Sequence, residues 1–266
     1  MNALQVLAVT LPLAYATAAA SFALGRDGTA RWSLRAALVL HACDFALRST
    51  RVEHFPIVDL WTVVSACAFA TAALWAIVAR DAAHTGSGGL VLGLVAALQL
   101  AASSSVHLDP VPRPSGMGPL QITHVATSCV ALAALFLSGL HGILWLALFR
   151  SIRVRRFSAF FERLPNLDTL AKMTRRAALL GFLGLSVGLN VGIGLAHAEN
   201  APGFAYRHPE VLVSLVLWLH FGVVAFSQRI PGLGARRASW AAAGGLAVAL
   251  LSGLLVLFPH PFHGAV

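Results

Sequence analysis

The sequence predicts an all-α fold, a polytopic integral membrane bundle of eight transmembrane helices. Of its 266 residues, 58% are hydrophobic and 11% are charged, whereas soluble domains carry about 25% charged residues. Apolar stretches that approach the roughly 20 residues needed to cross a bilayer recur along the chain. Basic residues collect in alternate loops between them. We expect residues 1–266 to form a single transmembrane domain.

Eight hydrophobic segments supply the predicted spans, which are Ala3–Leu24, Trp32–Leu47, Asp59–Ala79, Gly89–Ser105, Leu120–Phe149, Ala177–Ala196, Val211–Phe226 and Ser239–Phe258. The first lacks the positive start of a signal peptide. The second and seventh are short, and the fifth is long enough to tilt or to project past the bilayer.

Two features of the sequence add detail to these spans. Gly184, Gly188 and Gly192 recur every four residues on the sixth span and predict close helix packing. The longest polar insert, residues 150–176, contains several apolar residues that predict a short surface helix ending near Pro165. These residues are Phe157, Phe160, Phe161 and Leu164.

The distribution of Lys and Arg orients the bundle. With the N-terminus outside, the four inner loops hold three, one, eight and three basic residues, and all outer loops together hold four of the 19. Short cytoplasmic loops are enriched in basic residues. We therefore predict a multi-pass protein of a bacterial-type inner membrane, with both termini outside. The net charge of +9 then reports topology rather than nucleic-acid binding.

Several chemistries have no motif in the chain. The three cysteines, Cys43, Cys67 and Cys129, form neither a CxxC pair nor a CxxCH motif, which argues against a thiol redox site and covalent heme attachment. A P-loop, a nucleophile elbow and an HExxH motif are also absent from the sequence. An enzymatic reaction is therefore the less favoured interpretation.

Two histidines lie inside predicted spans at similar depth. His41 is seven residues from Arg48, or about 10 Å below the outer surface, and His220 is about 14 Å below it. Polar side chains in hydrocarbon are functional candidates, and imidazole is a common heme ligand. The alternative for each is an interhelical hydrogen bond to a serine or a carbonyl. Asp44 is expected either to orient His41 or to pair with Arg48.

Seven further histidines lie at the predicted outer face. His124 begins the fifth span, and His260 and His263 follow the eighth, so these three are candidates for an external pair of iron ligands. His263 is preferred over His260, because Pro259 and Pro261 restrict His260. The others, together with His84 and His141 on the inner side, are expected to be solvated loop residues.

Three stretches of the chain resemble the CcsA/HemX-like family of cytochrome c assembly proteins. The first is the segment 40–61, with His41 before Phe55-Pro56-Ile57-Val58-Asp59-Leu60-Trp61. The second is Pro119-Leu120-Gln121-Ile122-Thr123-His124-Val125, and the third is Leu164-Pro165-Asn166-Leu167-Asp168-Thr169-Leu170. The resemblance implies non-covalent heme b, with His124 as an external ligand, and contact with apocytochrome c or other assembly proteins.

The chain departs from the family in one loop. Members carry a tryptophan-rich external loop between the sixth and seventh spans, where they hold heme for delivery. Residues 197–210 contain no tryptophan and keep only Phe204 and Tyr206 as aromatic residues. Thr62 also replaces an expected acidic residue. These departures leave the delivery step open and point to the HemX-like branch.

Three functions remain open from the sequence. The first is a heme-binding protein of cytochrome c biogenesis that presents heme at the outer face, with Arg113 or Arg207 pairing with propionates. The second is a cytochrome b-like electron carrier, which needs two buried histidine pairs where His41 and His220 supply one. The third is a cofactor-free accessory or transport protein, which predicts a colourless preparation.

The predicted topology is tested by reporter fusions. A fusion after Arg156 should report the cytoplasm and a fusion after Val266 the outside, because the basic loops stay inside. An external signal from the Arg156 fusion would contradict both the orientation and the external site.

Overall fold

The computed structural model of the chain describes residues 3–52, 55–57, 59–78, 82–105, 118–155, 158–198, 206 and 209–255. Within these ranges the regular structure is helical throughout. The α-helices are α1 (Ala3–Ala23), α2 (Asp27–Val52), α3 (Leu60–Val78), α4 (Gly88–Ser105), α5 (Pro119–Arg153), α6 (Ala159–Glu162), α7 (Leu167–Ala198), α8 (Pro209–Ala225) and α9 (Ala235–Leu255). Two 3₁₀ segments, Ala82–Ser87 and Ser227–Arg229, precede α4 and follow α8.

The all-α prediction is confirmed, whereas the number of membrane crossings is not. Five helical segments in the described ranges are long and apolar enough to cross a membrane, and they are Ala3–Ala23, Leu60–Val78, Thr85–Ser104, Pro119–Arg153 and Leu167–Ala198. Val211–Ala225 is a shorter apolar helix. The count of eight crossings therefore stays a prediction.

Helix α2 runs well past its predicted span, and this corrects the placement of Arg48. The sequence analysis put Arg48 in an outer loop, but it lies inside α2 and is 6% exposed. Its Nε donates to Asp44 Oδ2 at 2.8 Å. This i,i+4 pair lets both charges remain inside a helix. Asp44 therefore forms an ion pair with Arg48, which was one of the two expectations for Asp44.

The described residues group into two compact units, of which unit 1 contains residues 1–117 and 148–166. In unit 1, α1 packs against α2 and α4, and α3 packs against α4. Large side chains such as Tyr15, Phe22 and Trp75 are fully buried between these helices. The ring of Trp75 meets that of Phe22 edge-on, with centroids 4.7 Å apart.

The polar linker 158–166 is tied to unit 1 by Arg163. Helix α1 ends at Ala23 and is followed by Gly25, whose φ of +79° suits a residue without Cβ. The Arg163 guanidinium donates to the carbonyl of Phe22 at 3.0 Å and to Asp27 Oδ1 at 3.1 Å. Arg163 thereby gives a second hydrogen bond to the Phe22 carbonyl, which also accepts from the Gly25 N–H, and links the end of α1 to the start of α2. The expected surface helix is the single turn α6, on which Phe160 is exposed.

Unit 2 contains residues 118–147 and 167–266, and glycines bring its helices together. A Cβ on Gly184 would lie 2.9 Å from Ala131 Cβ, and one on Gly188 would lie 2.7 Å from Ser128 Oγ. The predicted glycine face of α7 therefore packs on α5, and the packing interpretation is confirmed. On another part of α5, a Cβ on Gly142 would lie 2.8 Å from the Ser239 carbonyl oxygen of α9.

The packing of α7 predicts different effects of alanine at two nearby glycines. A Cβ on Gly192 would lie 2.6 Å from His124 Cε1, whereas one on Gly194 would meet nothing within 4 Å. Gly192→Ala should lower the free energy of unfolding by about 1–3 kcal/mol through overpacking. Gly194→Ala should leave it unchanged or raise it by up to about 1 kcal/mol, since alanine favours helix. Denaturant unfolding in detergent measures both, and equal effects would contradict the packing.

Candidate functional site

His124 lies in a seat formed by two residues of α7. Its Nδ1 is 2.7 Å from the carbonyl oxygen of Gly188, and its ring lies against Gly192. Both helices belong to unit 2, and His124 is half-buried on the first turns of α5. In a helix, the carbonyl of residue 188 accepts from the N–H of residue 192. Because Gly192 has no side chain, the second lone pair of that carbonyl stays open to the imidazole.

This hydrogen bond decides which nitrogen of His124 carries the proton. A carbonyl oxygen only accepts, so Nδ1 must be the donor. In the neutral ring, Nε2 then holds a lone pair. Nε2 makes no hydrogen bond within the part of the chain that the structure describes. His124 is thus oriented as a base or metal ligand through Nε2, with its other nitrogen held by the backbone.

The same arrangement recurs at His220 with the nitrogens exchanged. His220 Nε2 donates to the carbonyl of Ala241 at 2.8 Å, and a Cβ on Gly245 would lie 2.9 Å from that nitrogen. Again the glycine lies four residues after the carbonyl that accepts. The lone pair of neutral His220 is therefore on Nδ1, beside its own Cβ. Access to Nδ1 is sterically more restricted, so His220 is the less suitable iron ligand in this state.

His41 lies at the centre of a hydrogen-bonded network that joins all four long helices of the N-terminal part of unit 1. It is 0% exposed. Tyr15 Oη is 2.9 Å from His41 Nδ1, and Ser65 Oγ is 2.9 Å from His41 Nε2. Ser65 Oγ donates to Gln99 Oε1 at 3.0 Å, and Gln99 Nε2 donates to Ser103 Oγ at 3.2 Å.

The direction of these bonds follows from the one proton of the serine hydroxyl. Since Ser65 donates to Gln99, it must accept from His41 Nε2. His41 Nδ1 then accepts from the Tyr15 hydroxyl. Both nitrogens are engaged, and the ring also stacks on Phe45 at 4.9 Å. His41 therefore makes the interhelical bond to a serine that the sequence analysis gave as the alternative to ligation.

The three described candidates differ in how well they fit heme iron. His124 fits, because its Nε2 lone pair faces no hydrogen-bond donor among the described residues. His41 does not fit in this conformation, since both nitrogens are bonded and aromatic rings surround it. His220 has its Nε2 occupied by a carbonyl. His41 belongs to unit 1 and His220 to unit 2, and their expected pairing stays a prediction.

The remaining candidates lie outside the described residues. These are His260 and His263, the outer histidines His54, His107 and His208, and the propionate candidates Arg113 and Arg207. The side chain of His84 and most of the loop 197–210 are also outside them.

The structure corrects the expectation for His141. This residue is 1% exposed inside α5 and is not a solvated loop residue. Helix α5 continues to Arg153, well beyond this position.

Sequence reasoning missed the partners of the histidines. Tyr15, Ser65 and Gln99 are polar residues within apolar spans, and that signal was available in the chain. Gly245 was also not recognised, because a single glycine in a helix has no periodic signature.

Thr62, which was noted only as a departure from the family, has a structural role. Its N–H donates to Asp59 Oδ1 at 2.7 Å, while Thr62 Oγ1 accepts from the Asp59 N–H at 3.1 Å. This reciprocal pair caps the start of α3.

The network around His41 predicts a loss of stability when Ser65 is removed. Ser65→Ala leaves His41 Nε2 and Gln99 Oε1 buried without their partner, which should lower the free energy of unfolding by about 1–3 kcal/mol. Ser104→Ala is the matched control, because Ser104 is exposed and bonds only the Ala101 carbonyl of its own helix. Its effect should be within about 0.5 kcal/mol of zero. Similar values for the two variants, measured by unfolding in detergent, would rule the network out as a stabilising element.

Comparison with known proteins agrees with this arrangement of histidine-bearing apolar helices. The comparison with curated proteins returns no match. A family model described as Cytochrome C assembly protein matches residues 32–261, which include His41, His124, His220 and His260. The match covers far more than half of the chain. The chain belongs to the cytochrome c assembly protein family.

Proposed function

We propose that this protein binds heme b non-covalently and presents it at the outer face of the membrane for cytochrome c assembly. Membership of the family supports a role in cytochrome c biogenesis. The observation that carries the finer proposal is the seat of His124, in which Gly188 and Gly192 fix the ring so that Nε2 is left with its lone pair. A ligand nitrogen oriented in advance loses little conformational freedom on binding.

Each residue of the seat has a defined task. The Gly188 carbonyl accepts the hydrogen bond of the Nδ1 proton and so fixes the orientation of the ring. Gly192 leaves room for the ring and uncovers that carbonyl. Helix α5 anchors His124 near its N-terminal end, because Gly181 and Gly184 of α7 lie against Leu135 and Ala131 further along it. When bound, heme supplies the iron that an imidazole ligates and the prosthetic group of the cytochrome.

The remaining parts of the proposal come from the sequence. His263, or alternatively His260, would be the second histidine that holds the heme iron, because both follow the last span on the side predicted for His124. Arg113 and Arg207 are the candidates for pairing with the propionates. Apocytochrome c or another assembly protein receives the heme. The predicted eight-span orientation, with both termini outside, would put these residues at one face of an inner membrane.

The proposal predicts that heme content depends on His124. His124→Ala removes the oriented Nε2, so detergent-purified protein from heme-replete cells should lose most of its Soret absorption. His197→Ala is the control, since His197 is exposed and its Nδ1 bonds the Ile193 carbonyl of its own helix. That variant should keep the wild-type spectrum.

Three results would contradict the proposal. An unchanged Soret band in His124→Ala would show that another residue ligates the iron. Wild-type protein without heme under the same conditions would favour the cofactor-free accessory function. Reversible redox cycling with a quinone pool would instead favour the cytochrome b-like carrier.

A further inference from the structure

A cavity of about 720 Å³ lies at the end of unit 2 that is distant from His124. Trp145 of α5, the first turns of α7 and the turn between α8 and α9 line it. Its lining is mixed, with Arg175, Ser227 and Gln228 supplying polar groups and Trp145, Ile230 and Leu233 supplying apolar ones. Cavities of roughly 300–1,000 Å³ hold ligands of the size of a lipid headgroup or larger.

The charge around this cavity is strongly positive. The sequences 167–176 and 226–240 hold six basic residues, which are Lys172, Arg175, Arg176, Arg229, Arg236 and Arg237, and one acidic residue, Asp168. Asp168 is paired with Lys172 at 2.6 Å. Arg237 donates to the Gly232 carbonyl at 2.9 Å and so holds the α8–α9 turn in place.

Arg175 is the cation that lines the cavity without a partner. It is half-buried, and among the described residues it has neither a hydrogen bond nor an ion pair. Its planar guanidinium suits bidentate binding of a phosphate. The neighbouring Arg176 is exposed and does not line the cavity. An anion bound in the cavity would therefore depend on Arg175 more than on Arg176.

The surface beside the cavity changes from charged to apolar. Leu179, Leu180 and Leu183 of α7 are 37%, 42% and 53% exposed, starting one turn after Arg175. Ile230 and Trp240 are 39% and 62% exposed beside the turn. Exposed aromatic and aliphatic residues next to basic ones mark the level of the lipid headgroups. The cavity and the surface beside it therefore suit an occupant with a charged head and apolar chains.

We propose that the cavity binds the phosphate headgroup of an anionic phospholipid, with Arg175 as the phosphate ligand. Basic pockets between helices on the cytoplasmic side hold such headgroups, and the predicted orientation puts this end of unit 2 there. A zwitterionic headgroup fits less well, because its own cation meets the basic residues around the cavity. This inference rests on the membrane assignment and is independent of heme binding.

The experiment measures which lipids stay bound to the full-length protein. The protein is equilibrated with equal amounts of phosphatidylglycerol and phosphatidylcholine in detergent, and retained lipid is counted by native mass spectrometry. Wild type should retain phosphatidylglycerol. Arg175→Gln should lower that retention by about tenfold, while Arg176→Gln, which removes the same charge, should change it by less than about twofold.

Three results would overturn the proposal: no preference for phosphatidylglycerol, equal losses in the two variants, or displacement of the lipid by inorganic phosphate at the same concentration. The last result would assign the site to a free anion. A second measurement locates the lipid without a change of charge. Brominated phosphatidylglycerol should quench tryptophan fluorescence less in Trp145→Phe than in wild type, and equal quenching would place the lipid elsewhere.

Discussion

The hydrogen bond from His124 to the Gly188 carbonyl is the interaction on which the functional interpretation depends. It exists because the residue four positions after that carbonyl is Gly192, and a Cβ there would lie 2.6 Å from His124 Cε1, in the space that the ring occupies. The missing Cβ allows α5 and α7 to approach closely and also exposes a backbone acceptor to a side chain of the neighbouring helix. A single glycine thus serves both packing and the orientation of the imidazole.

The contact of a histidine ring with a glycine and with the carbonyl four residues before that glycine occurs a second time, at His220. Its ring lies on Gly245 and bonds the Ala241 carbonyl. The two sites differ in which ring nitrogen forms the hydrogen bond to the carbonyl. His124 bonds through Nδ1 and leaves the lone pair on Nε2, whereas His220 bonds through Nε2 and leaves it on Nδ1. His41 represents a third state, in which Tyr15 and Ser65 bond both nitrogens. Identical side chains thus acquire different chemical roles from the donors and acceptors that surround them.

The sequence predicted the helical class, the approximate positions of most spans and the packing face of α7, because these depend on local hydropathy and glycine periodicity. It missed the ends of α2 and α7, since charged residues such as Arg48 and Lys172 continue the helices beyond the apolar stretch. The sequence also could not predict which nitrogen of each histidine forms a hydrogen bond. Ser65 lies 24 residues from His41, and Gly188 lies 64 residues from His124. Contacts over such separations are set by helix packing and leave no local pattern.

The protonation state of the His124 ring tests the central claim most directly. Nitrogen NMR of protein labelled with ¹⁵N-histidine, with His124→Gln used to assign the signals, distinguishes a protonated from an unprotonated ring nitrogen. Our account predicts that, in the neutral ring of the heme-free protein, Nδ1 of His124 is protonated and Nε2 is not. The opposite tautomer, or rapid exchange between the two, would contradict the seat formed by Gly188 and Gly192.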